Sequence, residues 1–212
     1  MAGTRDDFLH TARSAADLLR DPAVAAGWSE PSALPEFTVA GLAGHLAQQV
    51  LAVPQLLSGP LPQERTVPLL EHYAQVKWID AALDDDVNVR IREGGEQIAA
   101  EGHPELVARL DSTINELAET LATQPDRPVR MPFWGPWSLL LDDLLITRMM
   151  ELAVHSDDLA VSVGLDTPAL PRSAVEQVID LLSRLAVRRH GQTAVLRALS
   201  RAERAPETIT AF

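Results

Sequence analysis

The stretch Leu139–Leu165, LLLDDLLITRMMELAVHSDDLAVSVGL, constrains this chain more than any other. It is apolar nearly all round, as a helix buried in a core is. Periodicity places the helix over Ser138–Val163, with Gly164 as its C-terminal stop. Asp142, Asp143, Arg148, Glu151, His155, Asp157 and Asp158 interrupt it, too many charges for a membrane span. Arg148, Glu151, His155 and Asp158 recur at i, i+3, i+7 and i+10, which places them on one stripe of the helix. A charged stripe on a buried helix is costly unless its members pair or hold a metal.

Helical periodicity dominates the remainder, and alternating β-branched runs are almost absent, so the expected class is all-α. A helix is expected over Asp6–Arg20, ended by Asp21-Pro22, with a loop following. A second starts after Thr38, a good N-cap, and runs toward Leu57 with Pro54 as a kink or early stop. A third covers Leu69–Leu83. Asp84–Glu101 is ambiguous between a helix continuing through Gly94-Gly95 and a break there. Further helices are expected over Pro104–Thr123, from Thr167–Pro171 to Arg189, and over Thr193–Ala202. The proline-rich QPDRPVRMPFWGPW reads as a loop. Four major helices with two long connections suggest a bundle of crossover topology with extra short helices. The 212 residues are expected to form a single domain.

With 30 acids against 18 bases the net charge is −12, which argues against nucleic acid or anionic membrane as partner. The bases are 17 arginines and Lys77, a bias that with the abundant alanine suggests a GC-rich genome. No cysteine is present, so a metal must be held by His, Asp or Glu, and thiol chemistry must bring its sulfur from outside. The N-terminus lacks the basic-then-apolar layout of a signal peptide, so the expected location is cytoplasmic.

Glu151 and His155 project from one face, roughly 6 Å apart along the axis at a rise of about 1.5 Å per residue. That spacing lets two side chains grip one ion. It equally suits a buried ion pair between Glu151 and Arg148, or a solvated face. His45, in the uncharged run VAGLAGHLAQQV, is the candidate third ligand, the alternative being a hydrogen-bonded core histidine. Two histidines and a carboxylate make a familiar catalytic zinc set with one position open, and they also suit Ni²⁺ or Fe²⁺. Asp157 and Asp158 are candidate bases or supports, with Asp158 on the stripe beside His155 and Arg148. His10 and His72 read as surface or boundary residues, His103 as a helix-start residue and His190 as a helix C-terminal cation. Trp134 and Trp137 either wall a pocket or pack a loop over the core. The arginines from Arg184 to Arg204 read as a solvated face, the alternative being a contribution to binding an anionic ligand.

FTVAGLAGHL and RMMELAVHSDDLAVSVGL together resemble the mycothiol-dependent maleylpyruvate isomerase N-terminal domain family, among the DinB/YfiT-like metal-binding bundles of actinobacteria. They match its Trp-Thr-Val-x-x-Leu-x-x-His-Leu segment, with Phe37 in place of Trp, and its Arg-x-x-Glu-x-x-x-His-x-x-Asp-Leu helix. The ending ALSRAERAPETITAF is also similar. The resemblance implies a four-helix bundle holding a divalent ion, usually zinc, on His45, Glu151 and His155. It implies mycothiol as the thiol, an electrophilic small molecule as its target, and thiol transfer or thiol-assisted isomerisation. Arg148 and Asp158 would support the ligands. The full isomerase carries a second, C-terminal domain, and this chain ends near the bundle. The expectation is therefore a bundle-only member without maleylpyruvate isomerase activity of its own. The resemblance also admits a homodimer. The alternatives are a metal-binding or sensor module without turnover, and a metal-free helical interaction protein.

Overall fold

The computed structural model describes residues 3–212. It is mostly helical, as the periodicity predicts. In chain order the elements are α1 (Thr4–Leu19), α2 (Pro22–Ala26), α3 (Val39–Leu51), α4 (Val53–Ser58), β1 (Arg65–Thr66), α5 (Leu69–Tyr73), α6 (Asp86–Ala99), α7 (His103–Thr120), β2 (Pro128–Val129), β3 (Trp137–Leu140), α8 (Leu141–Val163), α9 (Arg172–His190) and α10 (Gln192–Ser200). A 3₁₀ turn at Ala202–Arg204 follows.

α1 and α3 each pack on both α7 and α8, and α9 lies against α1 and α8. Phe8, Leu19, Leu42, Leu46, Leu106, Leu110, Leu144 and Leu145 fill the space between them and are fully buried. Arg5 ties the far end together: its Nη1 donates to the carbonyls of Leu121 and Gln124 beyond α7, and its Nε pairs with Asp142 at 2.9 Å. These carbonyls would otherwise be orphaned by the helix end. No described helix is long and apolar enough to cross a membrane.

Local chemistry explains several boundaries. The Thr38 hydroxyl accepts from the Gly41 N–H at 2.9 Å, capping α3 as its sequence position predicts. Pro54 cannot donate to the carbonyl four residues back, so the helix breaks at Ala52 and resumes as α4. Gly164 stands in the left-handed region at φ 71° and terminates α8.

Two expectations are corrected, and one alternative left open is decided. The helix expected over Leu69–Leu83 is only α5, five residues long. The proline-rich segment is not wholly loop. Trp137–Leu140 form β3, parallel to β1 (Arg65↔Trp137) and antiparallel to β2 (Val129↔Leu139), so α8 starts three residues later than predicted. Short apolar runs such as Ser138–Leu141 serve either state, and pairing decides. Finally, α6 passes unbroken through Gly94-Gly95. A Cβ on Gly95 would lie 2.3 Å from the Gly41 carbonyl oxygen, and one on Gly44 would lie 2.0 Å from that of Gly95. These glycines let α6 and α3 touch backbone to backbone, a tertiary gain that outweighs their poor helix propensity.

Candidate metal centre

α3 brings His45, and α8 brings Glu151 and His155, to one point. One donor atom from each lies within 4.8 Å of the other two. Glu151 Oε2 stands 3.2 Å from His155 Nε2 and 3.7 Å from His45 Nε2. Donors around a tetrahedral ion with bonds of about 2.0–2.1 Å are spaced by roughly 3.3 Å, so the carboxylate-to-imidazole distances suit such an ion as they stand. The two imidazoles meet edge to face at 4.8 Å between centroids. The three side chains are about 15% exposed, sheltered but reachable.

The surroundings orient these groups. Asp158 Oδ2 lies 2.9 Å from His155 Nδ1, which turns Nε2 toward Glu151. Gln49 donates to the His45 carbonyl at 2.9 Å and accepts from Arg148 Nη1 at 2.5 Å. Arg148 also donates from Nε to Thr147. The ion-pair alternative for Glu151 is thereby answered: among the described residues its close partners are the two histidines, not Arg148. Asp157 does not join the group; it accepts from Thr167 on the outer side of α8.

Burial alone would raise the Glu151 carboxyl, but hydrogen bonds from His155 and His45, with the charges of His155 and Arg148, hold it well below the usual carboxylate range. Burial would lower His155, yet Asp158 and Glu151 on its two nitrogens outweigh that and raise it to about 9. His45 is lowered by burial, which its contact with Glu151 only partly offsets. The metal-free centre is thus an imidazolium held between two carboxylates beside a neutral imidazole.

The other histidines separate. His10 bonds the Asp6 carbonyl on the surface, His103 donates to the Leu19 carbonyl at 2.6 Å and so caps α1, and His190 bonds the Thr210 carbonyl. His72 corrects the expectation of a surface or boundary residue, for it is 3% exposed. Trp137 Nε1 donates to its Nδ1 at 3.0 Å, and Trp134 lies 4.5 Å from it between ring centroids. An indole N–H can only donate, so the His72 proton sits on Nε2. The two tryptophans are therefore packed, and Trp137 belongs to a strand. Sequence reasoning missed this cluster because the groups that cover His72, Trp134 and Trp137, come from more than sixty residues further along the chain, and no local pattern encodes their approach.

Burial, then the Arg148 cation, lowers His72 to about 4 against a weaker pull from Glu151. The folded value lies below the unfolded one, so the unfolded chain binds more protons between them. This contribution to stability is full above about pH 6.5 and is lost as pH falls toward 4, by about 3 kcal/mol. Urea unfolding of His72→Leu is expected to show a shallower loss of stability over that window. An unchanged slope would assign the titration to another group.

A family model described as mycothiol maleylpyruvate isomerase N-terminal domain matches residues 8–160. No curated protein and no solved structure matches the chain significantly.

Proposed function

The chain belongs to the mycothiol maleylpyruvate isomerase N-terminal domain family, and from that membership we propose a divalent-metal-dependent enzyme that activates a low-molecular-weight thiol, mycothiol, for attack on an electrophilic small molecule. The outcome is S-transfer or thiol-assisted isomerisation. The observation that carries this reading is the convergence of His45, Glu151 and His155 from two helices that are distant in sequence. Two imidazoles and one carboxylate are the donor set of open catalytic sites. His45, Glu151 and His155 would hold zinc, nickel or iron(II), and the ion would supply Lewis acidity that lowers the pKa of a thiol brought to it.

The chain's own residues prepare the site. Asp158 fixes the ring of His155, and Gln49 links Arg148 to the backbone of His45. The Arg148 cation lowers the cost of gathering negative charge at this end of the bundle. The absence of cysteine removes any internal thiol that would compete with an external one.

The test is turnover. Zinc-loaded protein is expected to convert a small electrophile only when mycothiol is present, with loss of free thiol where the outcome is S-transfer and with the thiol regenerated where it is isomerisation, and with His155→Ala inactive in either case. One equivalent of bound zinc with no turnover across a panel of electrophiles would favour the metal-binding module instead.

A further inference from the structure

The stretch Ala205–Phe212 follows the 3₁₀ turn without helix or strand and is largely exposed as far as Thr210. It passes the C-terminal end of α9, where His190 Nε2 donates to the Thr210 carbonyl at 2.8 Å. Its last two side chains leave the water. Ala211 and Phe212 pack against the core, and the Phe212 ring stands 4.8 Å from that of Trp78 and 6.3 Å from that of Tyr73 between centroids.

Tyr73 and Trp78 belong to the connection from α5 to α6. His72 anchors its near end, gripped by Trp137 and Trp134, and the start of α6 at Asp86 anchors its far end. Between them Ala74–Asp85 contain no helix or strand. Backbone of this kind opens at low cost unless side chains hold it. Arg189, in the last turn of α9, also reaches the connection, with Nη2 3.0 Å from an Asp80 carboxylate that is 71% exposed. An exposed ion pair contributes little, whereas an aromatic contact adds ring attraction to the apolar area it buries. Of the two ties, the Phe212 ring is therefore the stronger.

The connection borders the metal centre. Burial raises the Tyr73 hydroxyl, the Glu151 carboxylate raises it further, and the Arg148 cation lowers it. The phenol thus lies within the field of both charged groups, and it is 5% exposed.

We propose that Phe212 is a latch: seated on Tyr73 and Trp78, it holds the Tyr73–Asp85 connection closed beside the metal centre, and its release opens that centre to a small molecule. Segments that close over a reactive site keep water out and set the rate at which ligands enter and leave. The latch depends on the geometry of the centre and not on the reaction assigned to it, so metal-free protein serves for the test.

Two measurements on the full chain decide it: hydrogen exchange over residues 73–85 by mass spectrometry, and carbethoxylation of His45 by diethyl pyrocarbonate, with the exposed His10 as internal reference. Phe212→Ala is expected to speed both by roughly tenfold, about the worth of one aromatic pair, while His10 reacts as in the wild type. Phe212→Tyr keeps the ring and should match the wild type. Arg189→Gln should raise exchange by less than about threefold. Phe212 lies beyond the last helix, so helical circular dichroism should not change in any variant. Exchange indifferent to Phe212→Ala would overturn the latch. Faster exchange with His45 no more reactive would overturn its control of the centre. An equal effect of Arg189→Gln, or loosening by Phe212→Tyr, would overturn the role of the ring.

Discussion

Replacing His155 by alanine is expected to abolish stoichiometric divalent-metal binding while leaving the helical content unchanged. The ring contributes one of three donors within 4.8 Å, and two remaining ligands do not enclose an ion. His45→Ala should behave the same way, although His45 lies on another helix and over a hundred residues away in the chain. Its loss tests that the site is assembled by tertiary packing rather than by α8 alone. Asp158→Asn keeps all three donors but weakens the hold on His155 Nδ1, and should lower affinity by about 10–100-fold. Elemental mass spectrometry of untagged protein, with chelator competition for affinity, reads all three. Full metal content in either alanine variant would refute the assignment. Uptake should also be coupled to protons. Below about pH 9 His155 is protonated in the metal-free protein, so affinity falls as pH falls. Calorimetry in two buffers should read about one proton released at neutral pH.

Gly95→Ala is expected to destabilise the fold by about 3 kcal/mol, at the upper end of overpacking costs. The added methyl would meet the Gly41 carbonyl at 2.3 Å, and neither backbone can yield without parting α3 from α6. The adjacent Gly94→Ala is the control. A Cβ there meets nothing within 4 Å, so the change should stabilise by roughly 0.5–1 kcal/mol through helix propensity. Urea unfolding of the two variants decides the point, and equal effects would dismiss the close seam. The added methyl on Gly95 would also come within 3.3 Å of the His45 backbone nitrogen. Gly95→Ala should therefore weaken metal binding, whereas Gly94→Ala should not.

Glu151, His155 and Asp158 were legible from spacing because α-helical geometry is local: four residues return a side chain to the same face wherever the helix lies. The cap at Thr38, the break near Pro54 and the stop at Gly164 were legible for the same reason, since each depends on one residue's own hydrogen-bonding or φ preference. His45 could be read only as a candidate, an uncharged helix being as consistent with a satisfied core histidine as with a ligand.

Tertiary packing decided what local preference leaves undetermined. Gly94-Gly95 left a break and a continuing helix equally open and became the interior of α6, because contact with Gly41 and Gly44 compensates for the propensity that glycine lacks. Trp137–Leu140 looked like loop and helix start and became a strand, because β1 and β2 supply ladder partners from distant parts of the chain. His72 looked like a boundary residue and is buried under Trp134 and Trp137 for a similar reason. The sequence by itself determined the helical class and the stripe on α8. Only the folded chain decided that His45 meets that stripe, because their approach depends on how α3 packs against α8, which no single helix encodes.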